Sequence, residues 1–222
     1  MHTLCNRLLG HGGRLMTLLG PPGIGKSRLA LEIASRLQSA WRDGALFVAL
    51  APLDDPALFP ATLARALHLT VEAGQSATAR LISHLRRKEM LVVLDNFEQI
   101  IPAAPVVAEL LAECSGLRVL VTSRERLHLR AEQRVRVTPL AVEAATALFL
   151  LHAQAAHDGF APAESDQTTI AAICRRLDCL PLAIELSASR MDLLSPGQLL
   201  SRLTEKRLDL LHNGPQDLPP HQ

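Results

Sequence analysis

The residues most able to do chemistry lie near the N-terminus, in the run Gly20-Pro-Pro-Gly-Ile-Gly-Lys-Ser27. Its spacing, GxxxxGK[ST], predicts a loop whose backbone N–H groups converge on one anion, because its three glycines can take positive φ. Lys26 would place a cation beside β- and γ-phosphate oxygens, and the Ser27 hydroxyl could ligate Mg²⁺. The pattern therefore predicts a site for a nucleotide phosphate, with a Gly-rich turn that binds nothing as the alternative.

The segments on either side of this loop predict the elements that would hold it. Leu15–Leu19 is an apolar run typical of a buried strand, and the apolar spacing of three and four over Ser27–Leu37 predicts a helix. A phosphate in the loop would lie at the N-terminus of that helix. Unpaired amides and the helix dipole favour negative charge at that position.

Strands and helices alternate over the next hundred residues. Apolar runs predict strands at Gly44–Leu50, Met90–Asp95 and Leu117–Arg124, and Arg134–Thr138 is a candidate for a fifth strand. Helical spacing predicts helices at Pro56–Leu67, Ala77–Arg87 and Ala104–Cys114. This alternation indicates a parallel sheet that is covered by helices on both faces.

From about Leu140 onward only helical spacing remains. The predicted helices are Ala141–Ala156, Gln167–Leu177, Leu182–Leu194 and Pro196–Leu203. We therefore predict an α/β nucleotide-binding domain at residues 1–139, a small helical domain at residues 140–212 and a flexible tail at residues 213–222.

Three of the predicted strands end in groups that suit a magnesium nucleotide. The first strand leads into the phosphate loop, and the third ends at Asp95, which is the expected partner of Ser27 for Mg²⁺. The fourth ends at Arg124, whose guanidinium could reach a γ-phosphate. Because ligands collect at the carboxyl ends of parallel strands, these groups are expected to lie together.

The base that would activate a water molecule is less evident. Asn96 follows Asp95 directly, and its amide can orient water but cannot accept a proton. Glu98 could act as the base, or it could be an exposed acid in the first turn of the next helix. We therefore expect weak ATP hydrolysis or none.

Composition argues against several other classes of protein. A formal net charge of +1 gives no strong positive electrostatic potential that would attract nucleic acid. An aromatic content of 3% leaves few side chains on which bases could stack. Four cysteines without a CxxC pair and nine histidines without HExxH predict reduced thiols rather than a zinc site. No apolar run reaches the roughly 18 residues that span a bilayer, so we expect a cytoplasmic protein with no membrane contact.

Four motifs together resemble a known family. The phosphate loop, LVVLDNFEQ, LRVLVTSRERL and CLPLAIELSASR make the chain similar to the STAND class of signalling ATPases. The similarity is greatest to the NB-ARC-like ATPase modules of large bacterial transcriptional regulators, and it covers roughly residues 14–212. It implies a P-loop NTPase three-layer α/β sandwich with ASCE-type strand order 5-1-4-3-2, followed by a small helical (ARC1-like) subdomain.

The same resemblance implies a role for each motif residue. Lys26 and Ser27 would be the Walker A pair, Asp95 the Walker B acid, and Arg124 the sensor of the terminal phosphate. Pro181 would contact the nucleotide base from the helical subdomain. The implied nucleotide contacts are Gly20, Pro21, Pro22, Gly23, Ile24, Gly25, Lys26, Ser27, Arg28, Arg124 and Pro181, and the implied cofactors are ATP or ADP with Mg²⁺.

The resemblance also implies how such a module works. ADP would hold a closed resting form, and exchange for ATP would open the molecule and promote self-association. Sensor and effector domains are expected outside these residues, which would not themselves bind nucleic acid. Cys179 departs from the pattern, since the family motif has Gly there.

Other interpretations of the phosphate loop remain open. A steady-turnover ATPase, such as an AAA-like motor or remodeler, would need a glutamate beside Asp95 and a basic channel. A P-loop phosphotransferase would need a lid with several arginines, for which Arg175 and Arg176 or the cluster Arg124–Arg130 could serve. A degenerate interaction domain without nucleotide affinity is the fourth possibility.

Overall fold

The structure is a computed structural model that describes residues 2–10, 13–72, 74–157, 159–160 and 163–205. The predicted flexible tail at residues 213–222 lies outside the described residues, as does the end of the predicted helical domain. None of the described helices has the unbroken apolar length that a membrane crossing needs. The four cysteines are free thiols, and three of them are buried.

Five parallel strands form one sheet. They are β1 (Leu15–Leu19), β2 (Ala45–Ala49), β3 (Met90–Asp95), β4 (Leu117–Ser123) and β5 (Glu132–Arg136). Their spatial order is β2-β3-β4-β1-β5, so the predicted order 5-1-4-3-2 is confirmed. Leu94 pairs with Val121, and Leu18 pairs with Thr122, so β3, β4 and β1 end at the same edge of the sheet.

Burial along the strands follows their position in the sheet. All six residues of β3 are buried, as its apolar run predicts. The edge strand β5 instead exposes Arg134 and Arg136, and such charges protect an edge strand from pairing with another chain. It begins two residues earlier than predicted, because its pairing with β1 runs from Glu132 to Arg136.

Helices cover both faces of the sheet and make three layers. They are α1 (His2–Leu9), α2 (Lys26–Leu37), α3 (Phe59–Ala66), α4 (Ala77–Leu85) and α5 (Ala104–Glu113), with 3-10 segments at Gln38–Ala40, Pro56–Leu58 and Phe97–Ala103. Alternate residues of β3 supply the two cores. Val92 and Leu94 belong to the cluster that includes residues of α3, α4 and α5, whereas Leu91 and Val93 belong to the cluster that includes residues of α2.

The helix α1 was not predicted from the sequence. Its buried contacts come from Leu4, Cys5 and Leu8, and Leu8 is fully buried against the α2 side of the sheet. The four apolar residues of this helix, Leu4, Cys5, Leu8 and Leu9, span fewer than two helical turns, which is too short a stretch to predict a helix by periodicity.

The chain divides into two compact units. One contains residues 1–21 and 26–137, and the other contains residues 22–25 and 138–222. The second unit has helices α6 (Val142–Ala156), α7 (Glu164–Arg176), α8 (Pro181–Ala188) and α9 (Pro196–Glu205). Phe149, Ile173, Ile184 and Leu199 are central members of its own apolar core.

The predicted helix Leu182–Leu194 is wrong at its C-terminal end. The α-helix stops at Ala188, and the next residues form turns in which Arg190 N–H donates to Ser187 O and Met191 N–H donates to Ala188 O. The Ser189 hydroxyl also donates to Leu186 O at 3.0 Å, and such local bonds favour a helix end over its continuation.

The turn before α8 contains Cys179, which stands where the motif that the chain resembles has Gly. Cys179 N–H donates to Cys174 O and Asp178 N–H donates to Arg175 O, which is the Schellman pattern of a helix end. Asp178 and Cys179 both have left-handed backbones, with φ of 53° and 52°. Cys179 thus takes the conformation that glycine would adopt most readily.

Candidate functional site

The phosphate loop connects β1 to α2. Gly23 and Gly25 have φ of 73° and 93°, which matches the prediction for these two glycines. Gly20 does not have positive φ, so that part of the prediction is wrong. The chain first turns at Pro22 and Gly23, and Gly20 instead supplies a carbonyl to the site.

Lys26 is the first residue of α2 and is only 8% exposed. Its ammonium donates to Gly20 O at 2.9 Å and to Pro21 O at 3.1 Å. Burial lowers the pKa of Lys26, and the charge of Arg124 lowers it further, whereas the carboxylates of Glu98 and Asp95 raise it. Glu98, Arg124 and Asp95 are therefore close enough to Lys26 for their charges to act on it, as expected for the residues at this edge of the sheet.

Asp95 is held by the neighbouring strand. It is 8% exposed, and the Thr122 hydroxyl donates to its Oδ1 at 2.5 Å. The same hydroxyl oxygen accepts the Asn96 N–H at 3.0 Å. Thr122 is fully buried, so it can orient Asp95 without competition from water. The sequence patterns assigned no role to Thr122, although the strand order places it beside Asp95.

Glu98 and Arg124 form a two-point contact. Arg124 Nε lies 3.0 Å from Glu98 Oε1, and the Arg124 backbone N–H donates to Glu98 Oε2 at 3.3 Å. The Glu98 side chain is 10% exposed and that of Arg124 is 43% exposed. The alternative interpretation of Glu98 as an exposed acid is therefore wrong. The signal that could have revealed this contact is the position of the two residues just past adjacent strands.

The residues proposed for Mg²⁺ have suitable chemistry. Ser27 is the second residue of α2 and is half-buried, and Asp95 has a carboxylate whose orientation Thr122 fixes. Within the described residues, no group of three or more His, Cys, Asp or Glu side chains could hold a metal by itself. A hydroxyl and one carboxylate suit Mg²⁺, which keeps several waters and takes further oxygens from phosphate.

The middle of the phosphate loop, residues 22–25, belongs to the second unit. There the Leu182 N–H, in the first turn of α8, donates to Gly23 O at 3.1 Å. A Cβ built on Gly25 would lie 3.7 Å from Pro181 Cγ. Pro181 is therefore close to the loop, and Leu182 is a loop contact that the sequence did not predict. Ile24 is buried, whereas Pro21, Pro22 and Arg28 are exposed.

The sequence profile described as AAA domain matches residues 9–130. That range contains the phosphate loop and the residues Lys26, Asp95, Glu98 and Arg124.

Two relatives match most of the chain. A Mycobacterium tuberculosis protein whose name describes an HTH-type transcriptional regulator is 40% identical over 194 residues, which is 86% of this chain and 22% of the relative. The regulatory protein AfsR of Streptomyces coelicolor is 30% identical over 221 residues, 92% of this chain and 21% of AfsR. The chain therefore spans about a fifth of the length of these two relatives.

Solved structures share the fold at low sequence identity. Drosophila ORC bound to DNA has a TM-score of 0.68 at 11% identity, and the match covers 98% of this chain and 68% of that chain. A STAND protein with a tetratricopeptide repeat sensor from Pyrococcus horikoshii has a TM-score of 0.55 at 16% identity, with 84% of this chain and 29% of that chain covered. These similarities support the P-loop NTPase fold.

Proposed function

Because the chain belongs to the AAA domain family, we propose that this P-loop ATPase module is an ATP/ADP-binding switch that hydrolyses ATP slowly or not at all. The observation that carries the proposal is the contact of Glu98 with Arg124 through both carboxylate oxygens. An acid held in this way is not available to accept a proton from water, and Asn96 has no basic group to offer. Binding without efficient turnover is what a switch requires.

Backbone and side-chain groups would each bind a different part of the magnesium nucleotide. The N–H groups of the loop and of the first turn of α2 would receive the phosphates, and Lys26 would turn from the loop carbonyls towards them. Bound Mg²⁺ would neutralise phosphate charge, with Ser27 and Asp95 as its protein ligands. Thr122 keeps the Asp95 carboxylate oriented for this role.

Arg124 would discriminate between ATP and ADP. Its guanidinium lies at the end of β4 and is partly exposed, so it can exchange one anionic partner for another. A γ-phosphate is such a partner, because it accepts charge-assisted hydrogen bonds from arginine. Gly20, Pro21, Pro22, Gly23, Ile24, Gly25 and Arg28 complete the proposed nucleotide contacts of the loop, and Pro181 is the proposed contact to the base.

The domain organisation of the chain and its role in regulation are also proposals. We propose that residues 1–139 are the nucleotide-binding domain of a STAND-class, NB-ARC-like module and that residues 140–212 are its helical subdomain. The names of the relatives support a role in transcriptional regulation, with sensor and effector parts outside these residues. The absence of direct nucleic-acid binding stays a prediction, since one structure with the same fold is ORC bound to DNA.

Thermal unfolding with and without nucleotide tests the proposal. A ligand at a hundredfold excess over Kd stabilises by about 2.7 kcal/mol, which for a chain of this size raises Tm by about 5–10 °C. We expect such shifts with Mg-ADP and Mg-ATP for the native sequence and none for Lys26→Ala. Equal shifts in both proteins, or none in either, would contradict nucleotide binding at this loop.

A further inference from the structure

We propose that Glu98 is a specificity residue that competes with the γ-phosphate for Arg124 and thereby shifts the preference of the site towards ADP. The inference depends on the proposed nucleotide site, because it assigns Glu98 a role in choosing between the two nucleotides. It replaces the interpretation of Glu98 as a catalytic base.

Glu98 and Arg124 are joined by two contacts and not by a single ion pair. One carboxylate oxygen lies 3.0 Å from Arg124 Nε, and the other accepts the Arg124 backbone N–H at 3.3 Å. Glu98 therefore holds both the side chain and the main chain of Arg124. A simple surface ion pair would show neither this second contact nor a carboxylate that is only 10% exposed.

The backbone around Glu98 explains why the pair forms. Asn96 has a left-handed backbone with φ of 63°, so the chain turns sharply at the end of β3. The Asn96 N–H is held by the Thr122 hydroxyl of β4, which keeps this turn beside the end of that strand. The first turn of the segment Phe97–Ala103 then brings Glu98 next to Arg124.

The Glu98–Arg124 pair affects the two nucleotides differently. A γ-phosphate that accepted a hydrogen bond from Arg124 Nε would displace Glu98 Oε1 from that nitrogen and would leave two anions near each other. ADP has no γ-phosphate and would leave the pair intact. The cost of breaking the pair therefore falls on ATP alone.

The test compares Glu98→Gln with the native sequence in calorimetric titrations with Mg-ADP and with a non-hydrolysable Mg-ATP analogue. Glutamine keeps the size of the side chain but removes its charge. We expect Glu98→Gln to bind the ATP analogue about tenfold more tightly, as expected for a loss of one strong charged contact. Affinity for ADP should change by less than about twofold.

Two comparisons separate the proposed role from simpler effects. Glu125→Gln removes the same charge from an exposed position next to Arg124 and should leave both affinities unchanged. In an Arg124→Gln background, Glu98→Gln should improve ATP binding less than it does in the native background, because no pair remains to be broken. Arg124→Gln alone should reduce the difference between the affinities for the two nucleotides. This measurement tests the Glu98–Arg124 pair even if Glu98→Gln does not fold.

Each contrary result has a distinct meaning. If the native protein binds neither nucleotide, the proposed site itself is wrong. If it binds both and Glu98→Gln weakens both equally, or improves ATP binding equally in the two Arg124 backgrounds, the competition is wrong while the site stands. A Glu98→Gln variant with unchanged affinities and lost hydrolysis would identify Glu98 as a base and would overturn the proposal.

Discussion

The Thr122 hydroxyl donates a 2.5 Å hydrogen bond to the Asp95 carboxylate, and both residues are buried at the ends of neighbouring strands. This bond links the strand that ends in the proposed Mg²⁺ ligand to the strand that ends in the proposed phosphate sensor. The orientation of Asp95 therefore depends on a residue that would contact neither the metal nor the nucleotide.

Thr122→Val should weaken the magnesium-dependent part of nucleotide binding. Valine has nearly the same shape but cannot donate to Asp95, and loss of a bond that orients a metal ligand typically costs 10–100-fold in metal affinity. We expect the apparent Kd for Mg²⁺, measured by titration in the presence of ATP, to rise by about tenfold. Unfolding should also become easier by about 1–3 kcal/mol, because a buried carboxylate loses its donor.

Thr17→Val is the matched control for that substitution. Thr17 is fully buried in β1, and its hydroxyl has no hydrogen-bond partner among the described residues. The same chemical change should therefore leave the unfolding free energy unchanged or slightly higher. An equal loss of Mg²⁺ affinity in both variants would show that Thr122 does not act through Asp95.

Lys26→Met should abolish nucleotide binding and yet raise the Tm of the nucleotide-free protein near pH 7. Burial lowers the pKa of Lys26 in the folded state below its ordinary value of 10.5, so the unfolded chain binds the proton more tightly. Below the folded-state pKa, the charged lysine costs stability, and methionine removes this cost.

The gain in Tm should depend on pH. Between the folded and unfolded pKa values the native protein releases its Lys26 proton, so its stability rises with pH and approaches that of Lys26→Met. Differential scanning calorimetry at several pH values measures the difference. A variant that is less stable than the native protein at every pH would contradict the desolvation cost assigned to Lys26.

Gly23→Ala should destabilise the loop for two reasons. Its φ of 73° strains any L-residue by about 1–2 kcal/mol, and the added Cβ would lie 3.1 Å from Leu182 Cβ. Gly44→Ala shares the first effect only, since Gly44 has φ of 76° but its Cβ would enter open space. We expect chemical denaturation to show a larger loss for Gly23→Ala, and only that variant to bind ADP more weakly. Equal losses would mean that Leu182 moves aside without cost.

Four strands of the sheet were predictable because each is mostly an apolar run, whereas β5 has exposed arginines and begins two residues earlier than predicted. The bounds predicted for β3 match its structure, and all six of its residues are buried. The strand order followed from the resemblance carried by the four motifs. Periodicity could not predict α1, since Leu4, Cys5 and Leu8 are its only buried or partly buried apolar contacts within the described residues.

The sequence predicted which residues form the candidate site better than it predicted the contacts between them. Lys26, Asp95, Glu98 and Arg124 were identified by spacing and resemblance, and the charges of the other three residues act on Lys26 in the structure. The contacts of Thr122 with Asp95 and of Glu98 with Arg124 depend on which strands are neighbours and on the turn at Asn96. Such contacts join residues 26 or 27 positions apart, and local sequence patterns carry no information about them.

The rate of ATP hydrolysis tests the central claim most directly. It should be measured at saturating Mg-ATP, with and without DNA, on protein whose nucleotide binding has been verified by titration. A module that holds and senses nucleotide should turn over well below about one ATP per minute in both conditions, whereas typical enzymes reach about 10 per second. A steady rate of several per second, or one that DNA raises to that level, would contradict the switch and indicate a motor or remodeler.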